Sequence, residues 1–192
     1  METMKKIFSK NGDRGQTQLI NGERLAKNSL VFEVLGTLDE FNSSLGLLLA
    51  DWDGELASGK KNIDLSDLKE QKKFLINLQK QLFKLGAEIA KSPKVKLSNV
   101  YLQKMEENII FLQNKLGENF LNNFVLPGGN HLAAQTDVAR TICRRLERKL
   151  VALDSERDLR DLLIKFVNRT SDYLYILKLF INYKLQNKEI LA

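Results

Sequence analysis

Apolar residues recur along this chain at steps of three and four, the spacing that places them on one side of a helix at about 100° per residue. Leu75, Leu78, Leu82, Leu85 and Ile89 form one such line, and Leu102, Met105, Ile109, Leu112 and Leu116 form another. The same periodicity predicts five helices of roughly 18 to 30 residues. The first covers 33–51, the second and third start at the N-cap candidates Ser66 and Ser98, the fourth covers 130–153, and the fifth covers 155–186 with Ser155 as its cap. Strand signals are almost absent. The segment 52–64, WDGELASGKKNID, is polar and glycine-bearing and reads as a surface loop. The connection 117–129 instead carries Phe120, Phe124, Val125 and Leu126 before a Pro-Gly-Gly turn, and is expected to tuck its aromatic groups against something rather than leave them in solvent. The expectation is an all-α fold, a five-helix bundle with a four-helix-bundle-like core. It forms a single domain over 1–192, in which an irregular segment, 1–30, precedes the bundle of 31–192.

The fourth helix departs from a simple amphipathic pattern. Arg140, Arg144 and Glu147 fall at i, i+4 and i+7 and share a face, with Arg148 at its edge. Val138, Ile142, Leu146, Leu150 and Leu153 point about 200° away. Five of the ten residues from Arg140 to Lys149 are basic and one is acidic. A face that only meets water mixes signs and uses Lys and Glu as readily as Arg, so this one points toward phosphate or carboxylate recognition, with a solvated outer face as the plainer reading.

Composition narrows the chemistry. The 192 residues include 43% hydrophobic and 28% charged side chains, a globular composition, with only two prolines and eleven glycines to interrupt helices. The net charge of +6 favours an anionic ligand, but no polybasic run or aromatic-basic platform argues for nucleic acid. The single cysteine, Cys143, excludes an internal disulfide and fits a reducing compartment; it reads as a packing residue. No stretch looks like a signal peptide or reaches the roughly 18 apolar residues of a membrane span, so a soluble, cytoplasmic protein is expected. One histidine, His131, and no Walker A, CxxC or HExxH motif leave no basis for a Ser-His-Asp triad or protein-ligated zinc. His131 is read as solvent-facing rather than as a catalytic base.

Three further places carry candidate chemistry. In SKNGDRGQT, residues 9–17, glycines three apart among hydroxyl and basic side chains permit a phosphate-binding nest or an ordinary turn, with Lys27 adding a charge downstream. Asn168 and Asp172 lie one helical turn apart, on an edge that either meets the arginine helix or meets solvent. Asp39 sits near a helix start, where the macrodipole favours a carboxylate, or else serves as a partner for Arg140.

Four blocks in order, SKNGDRGQTQLINGERLAK, VFEVLGTLDEFNSSLG, FVLPGGNHLAAQTDVARTICRRLER and FVNRTSDYLYIL, resemble the PduO-type ATP:cob(I)alamin adenosyltransferases over almost the whole chain. The resemblance implies a five-helix bundle assembled as a homotrimer, with ATP and the corrinoid meeting at subunit interfaces. It implies that Ser9, Gly12, Gly15, Gln16, Thr17 and Lys27 bind ATP, and that Arg144, Glu147 and Asn168 contact the nucleotide or its Mg²⁺, the metal lying near Glu147. It pairs Asp39 with Arg140 across the interface and places Phe124 under the corrin ring, where it keeps the lower axial ligand off cobalt. Arg144, Asn168 and Phe124 are the residues it assigns to catalysis. The implied reaction transfers the 5′-deoxyadenosyl group of ATP to cob(I)alamin and releases triphosphate. A corrinoid reductase would supply the substrate and an adenosylcobalamin-dependent enzyme would accept the product; no nucleic-acid or membrane partner is implied.

The chain also departs from that family's pattern. Thr136-Asp137 stands where many members have Leu-His, Val31 and Leu35 stand where many have Arg and Tyr, and Ser9 replaces a frequent Thr. Asp137 adds a negative charge about one turn before Arg140. A carrier or sensor that binds corrinoid or nucleotide without turnover is the alternative on the same fold, and a basic helical nucleic-acid binder is a third reading.

Overall fold

The computed structural model describes residues 10, 12–58, 63–117 and 124–192. Five helices dominate: α1 Leu30–Ser58, α2 Ser66–Ile89, α3 Asn99–Leu116, α4 His131–Arg157 and α5 Asp161–Lys184. Before them, β1 Gln16–Gln18 and β2 Arg24–Ala26 form an antiparallel hairpin in which Thr17 faces Leu25. The expected all-α bundle is therefore present, but the opening segment is not wholly irregular.

The helices are held by their leucine stripes. The lines through Leu75 to Ile89 on α2 and through Leu102, Met105 and Leu112 on α3 are buried as the spacing predicts. Cross-links fix the neighbours. Glu33 with Lys149 and Glu40 with Arg145 run α1 antiparallel to α4. Cys143 near Val167 and Asn130 near Asn182 do the same for α4 and α5. Gln71 and Asn108 exchange two hydrogen bonds between α2 and α3 at 3.0 and 2.9 Å, and Gln71 also accepts from the buried Tyr173 hydroxyl at 3.0 Å. That polar knot is satisfied at each contact, which is the condition under which a buried amide fixes register instead of destabilising a core.

Several boundaries differ from the sequence reading. α1 runs to Ser58, well into the predicted 52–64 loop, because Leu45, Leu48, Trp52 and Leu56 continue a three-four-four spacing and Trp52 is completely buried. Polar composition hid a periodicity that the core enforces. Ser66 is the first helical residue rather than the cap, and its N–H is taken by Asp64 Oδ1 at 2.9 Å. Ser98 does cap α3, accepting from the Val100 N–H at 3.3 Å, and Asn130 caps α4, accepting from Leu132 at 2.9 Å.

Ser155 does not start α5; it lies within α4, which ends at Asp158 in the left-handed conformation (φ 47°). The Asp154 carboxylate then takes the Leu159 N–H at 2.7 Å and turns the chain into α5. On α4 the core line is Ala139, Cys143, Leu146, Leu150 and Leu153, while Val138 is 57% exposed and does not join it.

Candidate functional site

The Pro-Gly-Gly turn sets the start of α4. Gly128 and Gly129 have φ of 128° and 100°, values open to glycine and costly for other residues. Gly129 also lacks room: a Cβ there would approach the Asn182 side-chain carbon to 2.6 Å. Asn182, fully buried on α5, accepts from the Asn130 N–H at 2.8 Å and donates to Gly128 O at 3.1 Å. The turn is thus stitched to α5 immediately before α4 begins. Just ahead of it Phe124 is 87% exposed, so the ring is not covered by the described residues of its own chain; Phe120 lies outside the described residues. Beside the turn, Pro127, Gly128, Ala134, Val138, Arg140 and Thr141 line a mainly apolar cavity of about 290 Å³.

Along α4 the basic residues separate into two groups. Arg145 and Lys149 are used inside the chain, on Glu40 and Glu33 of α1, and the Lys149 ammonium holds the Glu33 carboxyl below its usual range. Arg140 binds Asp137 at 2.6 Å and lies 5.9 Å from the Tyr175 ring centre. The departure at Asp137 therefore has a direct consequence: this nearly buried carboxylate occupies Arg140 within its own helix. Asp39, expected to meet Arg140 of another subunit, lines a separate apolar groove of about 310 Å³ within its own chain, with Ile20, Leu35, Leu38 and Phe83. Arg144 and Arg148 are exposed, and among the described residues neither has an ion pair or side-chain hydrogen bond.

Glu147 and Asn168 are brought together. Asn168 Nδ2 donates to Glu147 Oε1 at 2.7 Å, joining α5 to the open side of the arginine helix. Asp172, one turn on, is drawn instead to Arg169 at 2.7 Å. His131 stays partly exposed, with Nε2 3.2 Å from Asp51, whose carboxyl is held low by a 2.6 Å bond from Gln135 and by His131 itself. Burial pushes the Cys143 thiol far above its usual value, which removes it as a nucleophile. Among the described residues no group of three or more His, Cys, Asp or Glu is placed to hold a metal.

In the opening segment, Gly15 (φ 75°) accepts from the Lys27 N–H at 2.8 Å, and Lys27 Nζ rests where a Cβ on Gly12 would come within 2.9 Å. Gly12 thus leaves the space that lets this ammonium fold over the turn. Two amides that a nest would use, those of Asp13 and Gly15, donate to Lys10 and Gly12 carbonyls at 3.3 Å, the ordinary-turn alternative at these two positions. Gln16 and Thr17 fall on β1, and Lys10, Asp13, Arg14, Gln16 and Arg24 surround a polar basin. Ser9 lies outside the described residues. Glu23 fastens the hairpin to the bundle, accepting from Lys91 at 2.8 Å and Arg157 at 3.1 Å.

What the sequence reading missed is the set of buried polar side chains on α5, Lys178 and Asn182, which hold the turn from behind. Their signal was faint: a Lys and an Asn interrupting the apolar run YLYILKLFINY.

Comparison with known proteins agrees with this arrangement of elements. A family model described as cobalamin adenosyltransferase matches residues 7–181. A corrinoid adenosyltransferase of Bacillus subtilis is 34% identical over 175 residues, covering 88% of this chain and 83% of that protein. One from Citrobacter freundii is 36% identical over 177 residues, covering 90% and 92%. Among solved structures, a variant PduO-type ATP:corrinoid adenosyltransferase from Lactobacillus reuteri complexed with cobalamin and ATP superposes with a TM-score of 0.83 at 30% identity, over 97% of this chain and 96% of that one. With the match extending from the N-terminal segment into the last turn of α5, this chain belongs to the cobalamin adenosyltransferase family.

Proposed function

We propose that this protein transfers the 5′-deoxyadenosyl group of ATP to the cobalt of a corrinoid in the cob(I) state, releasing triphosphate. The observation that carries the reading is Arg144, which has no ion pair or side-chain hydrogen bond among the described residues, beside the Glu147–Asn168 pair on a helix whose other basic residues, Arg148 apart, are tied to carboxylates. A charge held ready on a rigid helix, between partners already placed, suits an anion whose charge grows as a bond breaks.

The reaction asks little else of the protein. The reduced cobalt is itself the nucleophile and the triphosphate is a stable leaving group, so neither an activated hydroxyl nor a thiol is required. Arg144, with Lys27 folding over the Gly12–Gly15 turn, would neutralise the leaving phosphates, and Asn168 would fix Glu147 toward the nucleotide. Mg²⁺ fits as a cation carried by the triphosphate, since one oriented carboxylate is the common protein share for an ion that keeps phosphate and water ligands. When bound, it would spread the charge of the leaving group. Phe124, projecting from a braced loop, offers an apolar floor to a corrin ring.

The geometry supports a composite site between copies of the chain, which we take to be a trimer. The hairpin is fastened at the Arg157 end of α4 and Phe124 precedes its His131 end. A helix of 27 residues spans about 40 Å at about 1.5 Å per residue, too far for both to serve one small site within a single chain. Apolar groups exposed around Asp39, with Phe83 at 72% and Ile20 at 59%, give such an assembly a surface to bury. In that assembly Asp39 would compete with Asp137 for Arg140. No helix among the described residues is long and apolar enough to cross a membrane; we assign the reaction to the cytoplasm, between a corrinoid reductase and an adenosylcobalamin-dependent acceptor enzyme.

Arg144→Ala tests the reading. Loss of one preorganised charge at a leaving group lowers kcat by roughly 100-fold or more, with corrinoid binding retained. Unchanged turnover would remove Arg144 from the mechanism, and corrinoid binding with no product in the unmodified protein would favour a carrier.

A further inference from the structure

Behind the Phe124 loop lies a buried polar cluster that neither nucleotide chemistry nor helix packing explains. Lys178 is 1% exposed in the middle of α5, and its Nζ donates to the Leu126 carbonyl at 3.3 Å and to Glu189 Oε2. Glu189, in the segment that follows α5, uses its other oxygen to accept from Asn182 Nδ2 at 2.9 Å. Asn182 in turn holds Gly128 O and the Asn130 N–H. The backbone closes the same unit: Leu126 N–H donates to Ile190 O at 2.8 Å, and Ala192 N–H donates to Phe124 O at 2.9 Å around a Val125–Leu191 bridge. One carboxylate thus joins two buried α5 side chains to a short antiparallel pairing whose first residue is Phe124.

Replacing such a cluster by apolar residues of equal volume is often neutral or stabilising, so fold stability alone does not account for it. What it does supply is direction. Among the described residues the Phe124 side chain is almost wholly exposed, and its anchor is the backbone bond from Ala192. We propose that Glu189, acting through Lys178 and Asn182, is a positioning residue that holds the segment 187–192 against the Phe124 loop and so sets the floor on which the corrin ring rests. The inference builds on the reading of Phe124 given above.

The test compares Glu189→Ala and Phe124→Ala in the full chain, using cob(I)alamin and MgATP as substrates and amide hydrogen exchange as a readout independent of catalysis. Glu189→Ala is expected to speed exchange at Leu126 and Ala192 by about tenfold or more. It is also expected to raise KM for cob(I)alamin on the order of tenfold, with KM for ATP unchanged. Unchanged exchange in Glu189→Ala overturns the inference whatever the kinetics, as does an equal rise in both KM values. Faster exchange with no kinetic effect of Phe124→Ala would leave the clamp standing as a loop-ordering device but refute its role under the corrin. Should Glu189→Ala fail to fold, Glu189→Gln, which keeps the length and one acceptor oxygen, serves the same comparison with smaller changes.

Discussion

Gly129→Ala probes how the site is built. The backbone there has φ 100°, which costs an L-residue about 1–3 kcal/mol. The new methyl must also displace Asn182, whose side-chain carbon would lie 2.6 Å away. That amide cannot swing aside cheaply, because it is fully buried and bound to Gly128, Asn130 and Glu189; overpacking of this kind costs about 1–3 kcal/mol more. A total near 4 kcal/mol lowers the melting temperature of a chain this size by about 8–16 °C. Circular dichroism during thermal and urea unfolding measures it. A double-mutant cycle separates the two parts: in an Asn182→Ala background, already destabilised by its orphaned polar groups, the glycine substitution should add only the backbone cost. A Gly129→Ala variant within about 0.5 kcal/mol of the parent, or one equally costly in both backgrounds, would refute the reasoning.

Other expectations follow from the ion pairs and the thiol. Burial opposes ionisation of Glu88, but Arg160 and the Leu97 N–H more than offset it and hold its pKa below the ordinary 4.5. Such a group contributes stability above its unfolded pKa and loses it as pH falls through the folded value. Glu88→Gln should therefore cost about 1–2 kcal/mol at neutral pH, reduced by solvent at the exposed Arg160, and the gap to the parent should close in acid; a gap that persists below both pKa values contradicts the assignment. Cys143, whose thiol is buried and shifted upward, should resist iodoacetamide at pH about 8 until the protein unfolds. Rapid labelling of folded protein would place it elsewhere.

The helices were legible because hydrophobic spacing and burial are the same information where an apolar line is long, as from Leu75 to Ile89 in α2, even though Gln71 shares that buried face. Legibility failed where polar residues crowded the solvent side of a helix and masked its apolar line. Trp52 and Leu56 bury a stretch whose Asp53, Gly54 and Glu55 suggest a loop, and Ser155 has the chemistry of a cap but sits inside α4. Val138 fits the helical count yet faces outward, while Ala139 and Cys143 are buried and the Cys143 thiol meets the Val167 carbonyl of α5. At the candidate site, the Glu147–Asn168 contact was foreshadowed by the edge on which Asn168 lies, and the use of Arg140 by Asp137 by their i, i+3 spacing. The Glu189 bridge was not, because it joins residues brought together only when the segment after α5 folds back on the Phe124 loop.

The central claim is adenosyl transfer, and the most direct measurement mixes purified protein with MgATP and chemically reduced cob(I)alamin under anaerobic conditions, following the corrinoid by absorbance and the released phosphate by chromatography. The account predicts adenosylcobalamin formed over many turnovers with one triphosphate per product. Tight corrinoid binding with ATP left intact would contradict it.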